Sequence, residues 1–282
     1  MCETASVVQA RPRETVSARP AADGINLRSV ALPVEHGGWG MLGEPLLLGL
    51  LLAPSRAGWG VALASVAAFL AHHPAKLVLA DWCRRSPQRR TNVALGFVFL
   101  YGSAAVVGLG LAAGGHPGWW MPLAAATPIA IVQLAFDARL QGRQLLPELL
   151  GAVALGSVVA AQMRAAGLPL GLSLAAWAVL AAKAAGAILY VRARLRYDRG
   201  LAPNRAAAVA SHVGGFLLAL ALARAGDAPW LAVAAFVLLL ARAVYGLSRH
   251  HRRVRPQVVG LQEMAFGFAF VFLLAIGYAL GV

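Results

Sequence analysis

Charged residues are scarce in this chain, and acidic residues are the scarcest. Only 13% of the 282 residues are charged and 60% are hydrophobic, with 11 acids against 25 Lys and Arg. A soluble globular domain carries about 25% charged residues. This composition therefore excludes an ordinary soluble domain and predicts a membrane protein with several spans.

Cysteine is almost absent as well, and no cofactor fingerprint is present. Cys2 and Cys83 are isolated and form no CxxC pair, which argues against a disulfide framework or a zinc site. His72 and His73 are adjacent, so on a helix they point in different directions and do not form a metal-binding H-x-x-x-H pair. No P-loop, Rossmann or nucleophile-elbow pattern occurs. The sequence predicts no metal site and leaves any cofactor unknown.

The basic residues are distributed in a regular alternation. Lys and Arg lie in the N-terminal segment, or in or within one turn of every second gap between apolar runs, with five exceptions: Arg56, Arg164, Arg224, Lys183 and Arg242. Cytoplasmic loops of membrane proteins carry such an excess. The net charge of +14 is therefore read as an orientation signal and a contact with anionic lipid headgroups, and not as a nucleic-acid surface. This alternation predicts a cytoplasmic N-terminus in a bacterial cytoplasmic membrane.

The apolar runs predict an all-α bundle of about nine transmembrane helices. A span needs roughly 20 apolar residues. Residues 1–30 are expected to form a flexible basic tail, and residues 31–282 the helical domain. In the first run, Glu44 and Pro45 are expected to delay or break the helix. The predicted spans are 39–54, 58–79, 93–113, 118–136, 146–163, 169–190, 206–223, 229–247 and 260–280.

The few acids outside the tail mostly lie where helices meet the predicted cytoplasmic side. One interpretation is local charge neutralisation: Asp81 would pair with Arg84 or Arg85, and Asp198 with Arg194, at helical spacing. The other is a cytoplasm-facing cavity in which arginines hold an anionic group and carboxylates act as an acid–base pair or bind a cation. The catalytic candidates are Glu35, His36, Glu44, Asp81, Asp137, Glu148 and Asp198, and the ligand-binding candidates are Lys76, Arg139, Lys183 and Arg194.

Lys183 lies near the middle of its run, where a lysine costs roughly 2.5–3.5 kcal/mol on insertion scales. It is therefore expected to face the bundle interior and to have a partner. Arg242, nearer a helix end, is expected to snorkel toward the headgroups. His212 is expected to hydrogen-bond across helices, and His251 to be solvated.

Four segments resemble the YwiC-like family of bacterial membrane proteins, over roughly residues 31–282. They are LPVEHGGWGMLGEPLLLGLLLAPS, FLAHHPAKLVLADWCRR, FDARLQGRQLLPELLGAVALGS and ILYVRARLRYDRG, and their most distinctive element is Glu35 to Gly40 followed by Glu44-Pro45. The resemblance implies a membrane-embedded helical fold and no established activity.

The topology is also similar to that of the UbiA superfamily of intramembrane prenyltransferases. Those enzymes hold Mg²⁺ and a diphosphate with N-D-x-x-D-x-x-x-D and D-x-x-x-D loops. Here Asp81 matches one aspartate, but Arg84 and Gln88 stand at the next acidic positions, and Arg194 to Asp198 reads R-x-x-x-D. Two function classes follow: an enzyme-like protein with a site for a lipid-soluble or anionic molecule, or a small-molecule or ion-coupled transporter that uses Glu44 and Lys183. A structural role is the third possibility.

Overall fold

Nearly all of the described chain is helical. The computed structural model describes residues 26–32, 36–139 and 144–282, and these contain no β-strand. Each predicted apolar run forms a helix, so the prediction of an all-α bundle is confirmed. The helices are α1 (Leu27–Ala31), α2 (His36–Leu52), α3 (Arg56–Cys83), α4 (Arg89–Ala113), α5 (Met121–Ala138), α6 (Leu145–Ala165), α7 (Leu170–Asp198), α8 (Arg205–Ala225), α9 (Trp230–Gly246) and α10 (Pro256–Leu280).

The protein is a multi-pass membrane protein. Six helices are long and apolar enough to cross a bilayer: α3, α4, α6, α7, α8 and α10. The apolar helices α2, α5 and α9 are shorter, and the 17 residues of α2 or α9 span about 25 Å of a hydrocarbon core about 30 Å thick. Large apolar side chains such as Phe99 and Val106 remain 79% and 68% exposed, as lipid contact requires.

Two features of the N-terminal region differ from the sequence prediction. The α2 helix continues through Glu44 and Pro45 without a break, although a proline inside a helix removes one backbone hydrogen bond. The end of the predicted tail forms α1, which is capped by the Asn26 side chain. Val30 of α1 is buried against Val78 and Ala94, so α1 packs on the α3–α4 pair.

Contacts between helices give the bundle two distinct ends. We call the basic end the one that holds the junctions α3–α4, α5–α6, α7–α8 and α9–α10. There Lys76 of α3 pairs with Asp137 of α5. At the opposite end, Arg164 contacts His116, and the Tyr278 hydroxyl donates to the Asp227 carbonyl. The junctions that alternate in charge along the sequence therefore alternate between the two ends of the bundle.

Six helices close into a ring. In order around it, α2, α6, α7, α8, α9 and α10 each pack against the next, and α10 returns to α2. The remaining helices α3 and α5 pack on the outside of α6, and α4 packs on α3. Of the ring helices, α7 also contacts α2, α9 and α10 across the interior. Side chains on the inner face of α7 therefore determine what the ring encloses.

The α3–α4 pair depends on small residues that let the two backbones approach closely, as in other membrane helix pairs. A Cβ at Gly108 would lie 2.6 Å from the Ala64 nitrogen and 2.7 Å from the Gly60 oxygen. We expect Gly108→Ala to lower the unfolding free energy by about 1–3 kcal/mol through overpacking. Thermal unfolding in detergent measures this. Gly110→Ala is the matched control, because a Cβ at Gly110 meets nothing within 4 Å; equal melting temperatures for the two variants would contradict the expectation.

Candidate functional site

A buried ion pair lies at mid-height inside the ring. The Lys183 ammonium of α7 donates to the Glu44 carboxylate of α2. The two residues are only 5% and 8% exposed, and each lies near the middle of its helix. The expectation that Lys183 faces the interior and has a partner is thus confirmed, and the partner is another predicted candidate.

Gly267 of α10 provides the space for this pair. A Cβ at that position would lie 2.8 Å from the Lys183 nitrogen and would overlap the Glu44 carboxylate. Real Cβ atoms do not approach other atoms so closely, so an alanine there would force the ends of these side chains to shift. Three helices, α2, α7 and α10, therefore enclose the pair, and the third contacts it through a glycine.

An apolar layer lies on the side of the pair that faces the opposite end. It is formed by one continuous cluster of buried side chains. On α2, α7, α8 and α9, the first residues of the layer lie about one to two turns from a largely buried polar residue, on the side of the opposite end. On α10 they lie about one turn from Gly267, on the same side. Members of the layer include Leu48, Val179, Leu180, Ala219, Phe236, Leu239, Phe270 and Leu274.

Toward the basic end, the ring interior is polar. Arg242 of α9 pairs with Glu263 of α10, and their side chains are 10% and 15% exposed. The Arg242 guanidinium also lies 4.1 Å from the centre of the Tyr190 ring, a cation–π contact. The prediction that Arg242 snorkels to the headgroups is therefore wrong, because Glu263 and the Tyr190 ring hold its guanidinium inside the bundle.

His212 of α8 lies between these two ion pairs. It is 1% exposed, and its Nδ1 lies 2.7 Å from the Ala208 carbonyl of the same helix. The predicted hydrogen bond to another helix is wrong: Nε2 has no hydrogen-bond partner among the described residues. A Cβ at Gly186 of α7 would lie 3.2 Å from the imidazole, so the ring rests against the α7 backbone.

The third polar set lies at the basic end of α7. Arg194 pairs with Asp198 at 3.0 Å, as predicted from their spacing, and donates to the carbonyls of Gly246 and Arg252. His251 lies 2.9 Å from the other Asp198 oxygen and its side chain is 7% exposed. The expectation that His251 is solvated is wrong, because the α9–α10 junction folds back over the end of α7.

These three sets follow one stripe of α7. Lys183, Gly186, Tyr190, Arg194 and Asp198 recur every three or four residues and so share one helix face. From Lys183 to Asp198 the stripe rises about 22 Å at 1.5 Å per residue. We call this set the polar column; it comprises Glu44, Lys183, His212, Tyr190, Arg242, Glu263, Arg194, Asp198 and His251.

The other acids form separate pairs outside the column. The prediction that Asp81 pairs with Arg84 or Arg85 is wrong. Its carboxylate instead accepts hydrogen bonds from Arg90 at 2.8 Å and from Thr91 at 2.7 Å. Both partners lie at the start of α4, which folds back against α3. Asp81 is 2% exposed, so this local network fixes the α3–α4 junction.

Asp137 and Glu148 also lie at the basic end, each with a basic partner from another helix. Asp137 accepts from Lys76 at 2.6 Å and from Gln133 at 3.0 Å. Glu148 pairs with Arg192 at 2.7 Å. The neighbouring Arg139 is exposed just after α5.

The structure therefore brings together only some of the predicted site residues. Glu44, Lys183, Arg194 and Asp198 share the polar column, whereas Asp81, Asp137 and Glu148 each belong to a pair of their own. Glu35 and the side chain of His36 lie outside the described residues. Among the residues that the structure describes, no group of three His, Cys, Asp or Glu side chains is placed to hold a metal ion.

Sequence reasoning did not identify the middle of the column. Glu263 was not named as a candidate, and Arg242 and His212 were not predicted to lie near each other. One signal was available in the sequence: Glu263 and Gly267 are four residues apart, so they share a face of α10. An acid followed one turn later by a glycine is a pattern that allows a buried neighbouring pair.

Residues 32–163 of the chain match the family model described as YwiC-like protein. The resemblance predicted from the sequence is confirmed over this range. The range spans α2 to α5 and most of α6, and it therefore includes Glu44 but not Lys183. Comparisons with curated proteins and with solved structures give no match.

Proposed function

We propose that this protein is an ion-coupled transporter of a small molecule, and that the Glu44–Lys183 pair is its coupling site. The observation that carries the proposal is the position of the pair. It lies buried at mid-height where the polar column meets the apolar layer. Ionisable residues at such depth are costly, and in membrane proteins they mark ion and substrate pathways.

The physical chemistry of the pair favours a switch. Each charge is tolerated in the interior because the other compensates it, and removing one charge leaves the other uncompensated at a cost of several kcal/mol. Binding of a cation to Glu44 would release Lys183 and so favour a different packing of α2, α7 and α10. A transporter needs such a local change in charge that shifts the balance between two packings.

The distribution of polarity inside the ring fits one conformation of a carrier. The interior is charged from the basic end to mid-height and apolar beyond it. In a carrier, the apolar layer would close the path to the opposite end in this conformation and open in another. We place the basic end in the cytoplasm of a bacterium, against anionic headgroups, because of its excess of arginine.

Opening of the apolar layer is the test, since it requires no knowledge of the substrate. Ala176 is fully buried in this layer on α7. In a background with Cys2→Ser and Cys83→Ser, we expect Ala176→Cys to react with a membrane-impermeant maleimide from the opposite end. We expect this labelling to depend on an imposed ion gradient and to fall about tenfold in Glu44→Gln, a loss of about 1.4 kcal/mol in the opening equilibrium.

The controls separate opening from general access. Ala166→Cys, exposed at the opposite end, should label under all conditions, and Asp227→Asn, an acid at the same end, should leave the Ala176→Cys labelling unchanged. The proposal is overturned if the cysteine of Ala176→Cys never reacts with maleimide from the opposite end under any gradient of protons or alkali cations. That result would show that the apolar layer does not open.

A second function, binding of an anionic ligand at the basic end, is supported by a cleft there. It has a volume of about 570 Å³ and lies between the ends of α6, α7 and α8, with Arg192, Arg196 and Asn204 in its lining. Such a cleft suits a phosphorylated or carboxylated molecule, free or lipid-borne. This function does not require the apolar layer to open, so the labelling of Ala176→Cys distinguishes the two proposals.

A further inference from the structure

We infer that the coupling ion is a proton, and that Nε2 of His212 passes it between the basic end and the Glu44 carboxylate. This inference rests on the ion-coupled function proposed above and names the ion and its route. It draws on three observations: the orientation of the imidazole, its place in the polar column, and the cation already beside Glu44.

The hydrogen bond of His212 determines which nitrogen can act as a base. The Ala208 carbonyl can only accept, so Nδ1, at 2.7 Å, carries the ring hydrogen. In the neutral imidazole, Nε2 therefore holds the lone pair. It is buried and has no hydrogen-bond partner in the part of the chain that the structure describes, which leaves it available to take a proton.

The imidazole is placed between the two inner ion pairs. The imidazole ring lies so close to Gly186 that a Cβ added there would be 3.2–3.4 Å from its atoms. Gly186 follows Lys183 by one turn, a rise of about 4.5 Å, and precedes Tyr190 by one turn. The charges of Arg242 of α9 and Glu263 of α10 act on the imidazole, and the titratable groups on the α7 side are Lys183 and Tyr190, one turn before and after Gly186.

The surroundings of Glu44 favour a proton over a metal cation. The Lys183 ammonium already occupies the position beside the carboxylate that a metal ion would need. A hard cation also requires several oxygen ligands, whereas a proton requires one lone pair. Glu44 offers that lone pair without any rearrangement of neighbouring oxygen atoms.

The step transfers one proton and no electrons. A proton from the basic end, where Asp198 and His251 end the column, binds the Nε2 lone pair and gives an imidazolium. Nε2 and the Glu44 carboxylate are not hydrogen-bonded in this conformation, so the proton passes between them through water that enters the column. The Nε2–H bond breaks, and an O–H bond forms on Glu44. The carboxyl group becomes neutral, the ion pair with Lys183 is lost, and His212 returns to the neutral form; release of the proton reverses each event.

Time-resolved infrared absorption of the purified full chain after an acid pH jump tests the route. Protonation of Glu44 would appear as a carboxyl C=O band that is missing in Glu44→Gln. We expect His212→Gln to slow the rise of this band by about tenfold or more, as loss of a proton-transfer group does, while its final amplitude stays the same. Imidazole added to His212→Ala should restore the rate.

The control is His250→Gln, which removes an exposed histidine at the α9–α10 junction and should leave the rate unchanged. If His212→Gln does not fold, Gly186→Val serves instead: a Cβ alone would lie 3.2 Å from the imidazole, so the larger side chain must displace the ring and should also slow the band. An unchanged rate in the His212 and Gly186 variants, or a loss of amplitude without a change in rate, overturns the relay. Neither result affects the labelling of Ala176→Cys, so the relay can fail while the carrier function stands.

Discussion

Gly267→Ala should abolish the response of the protein to ions although it removes no charged group. The added Cβ would lie within 2.8 Å of the Lys183 nitrogen and inside the Glu44 carboxylate, so the ends of these side chains must move from their present positions. Overpacking of this kind costs about 1–3 kcal/mol. We therefore expect a fall in melting temperature of that order and loss of gradient-dependent labelling at Ala176→Cys.

The matched control is Gly260→Ala on the same helix. A Cβ at Gly260 meets nothing within 4 Å, and alanine favours a helix over glycine by about 1 kcal/mol, so this variant should be as stable as the wild type or more so. Normal stability and normal labelling in Gly267→Ala would mean that the pair tolerates displacement. The Glu44–Lys183 contact would then have no part in coupling.

The apolar runs were sufficient to predict the helices, because a bilayer imposes the same length and composition on every span. Depth in a run was also sufficient to predict that Lys183 faces inward, since an unpaired ammonium in lipid is too costly. The orientation of the bundle in the membrane stays a prediction based on charge alone.

Partner choice could not be predicted, because it depends on how distant helices pack. Glu44 and Lys183 are 139 residues apart, and no local pattern links them. Asp81 illustrates the same limit at short range. Its neighbours Arg84 and Arg85 satisfy helical spacing, yet α3 ends at Cys83 and the chain turns, so Arg90 of the next helix reaches the carboxylate first.

Histidines were misjudged for a related reason. His251 belongs to a strongly basic segment, and such segments are usually solvated. Here the segment covers the end of α7, and Asp198 attracts the imidazole. The candidate site was therefore recognised at its two ends, Glu44 with Lys183 and Arg194 with Asp198, whereas the residues between them required the fold.

Neutralising both members of the central pair should restore stability without restoring function. Lys183→Met leaves the Glu44 carboxylate buried without its partner. Glu44→Gln likewise leaves the Lys183 ammonium buried without its partner. We expect each single variant to lose about 3–5 kcal/mol of unfolding free energy, whereas a buried pair replaced as a whole is often neutral in stability. The double variant should therefore melt close to the wild type in detergent.

The Arg192–Glu148 pair provides the matched comparison, because its side chains are 40% and 33% exposed. Exposed pairs contribute about 0.2–1 kcal/mol, so Arg192→Met and Glu148→Gln should change stability little, alone or together. If the pair at Glu44 and Lys183 were only structural, the stable double variant would still label at Ala176→Cys in response to a gradient. We expect it to be silent, because the carboxylate at which the coupling ion is proposed to bind has been removed.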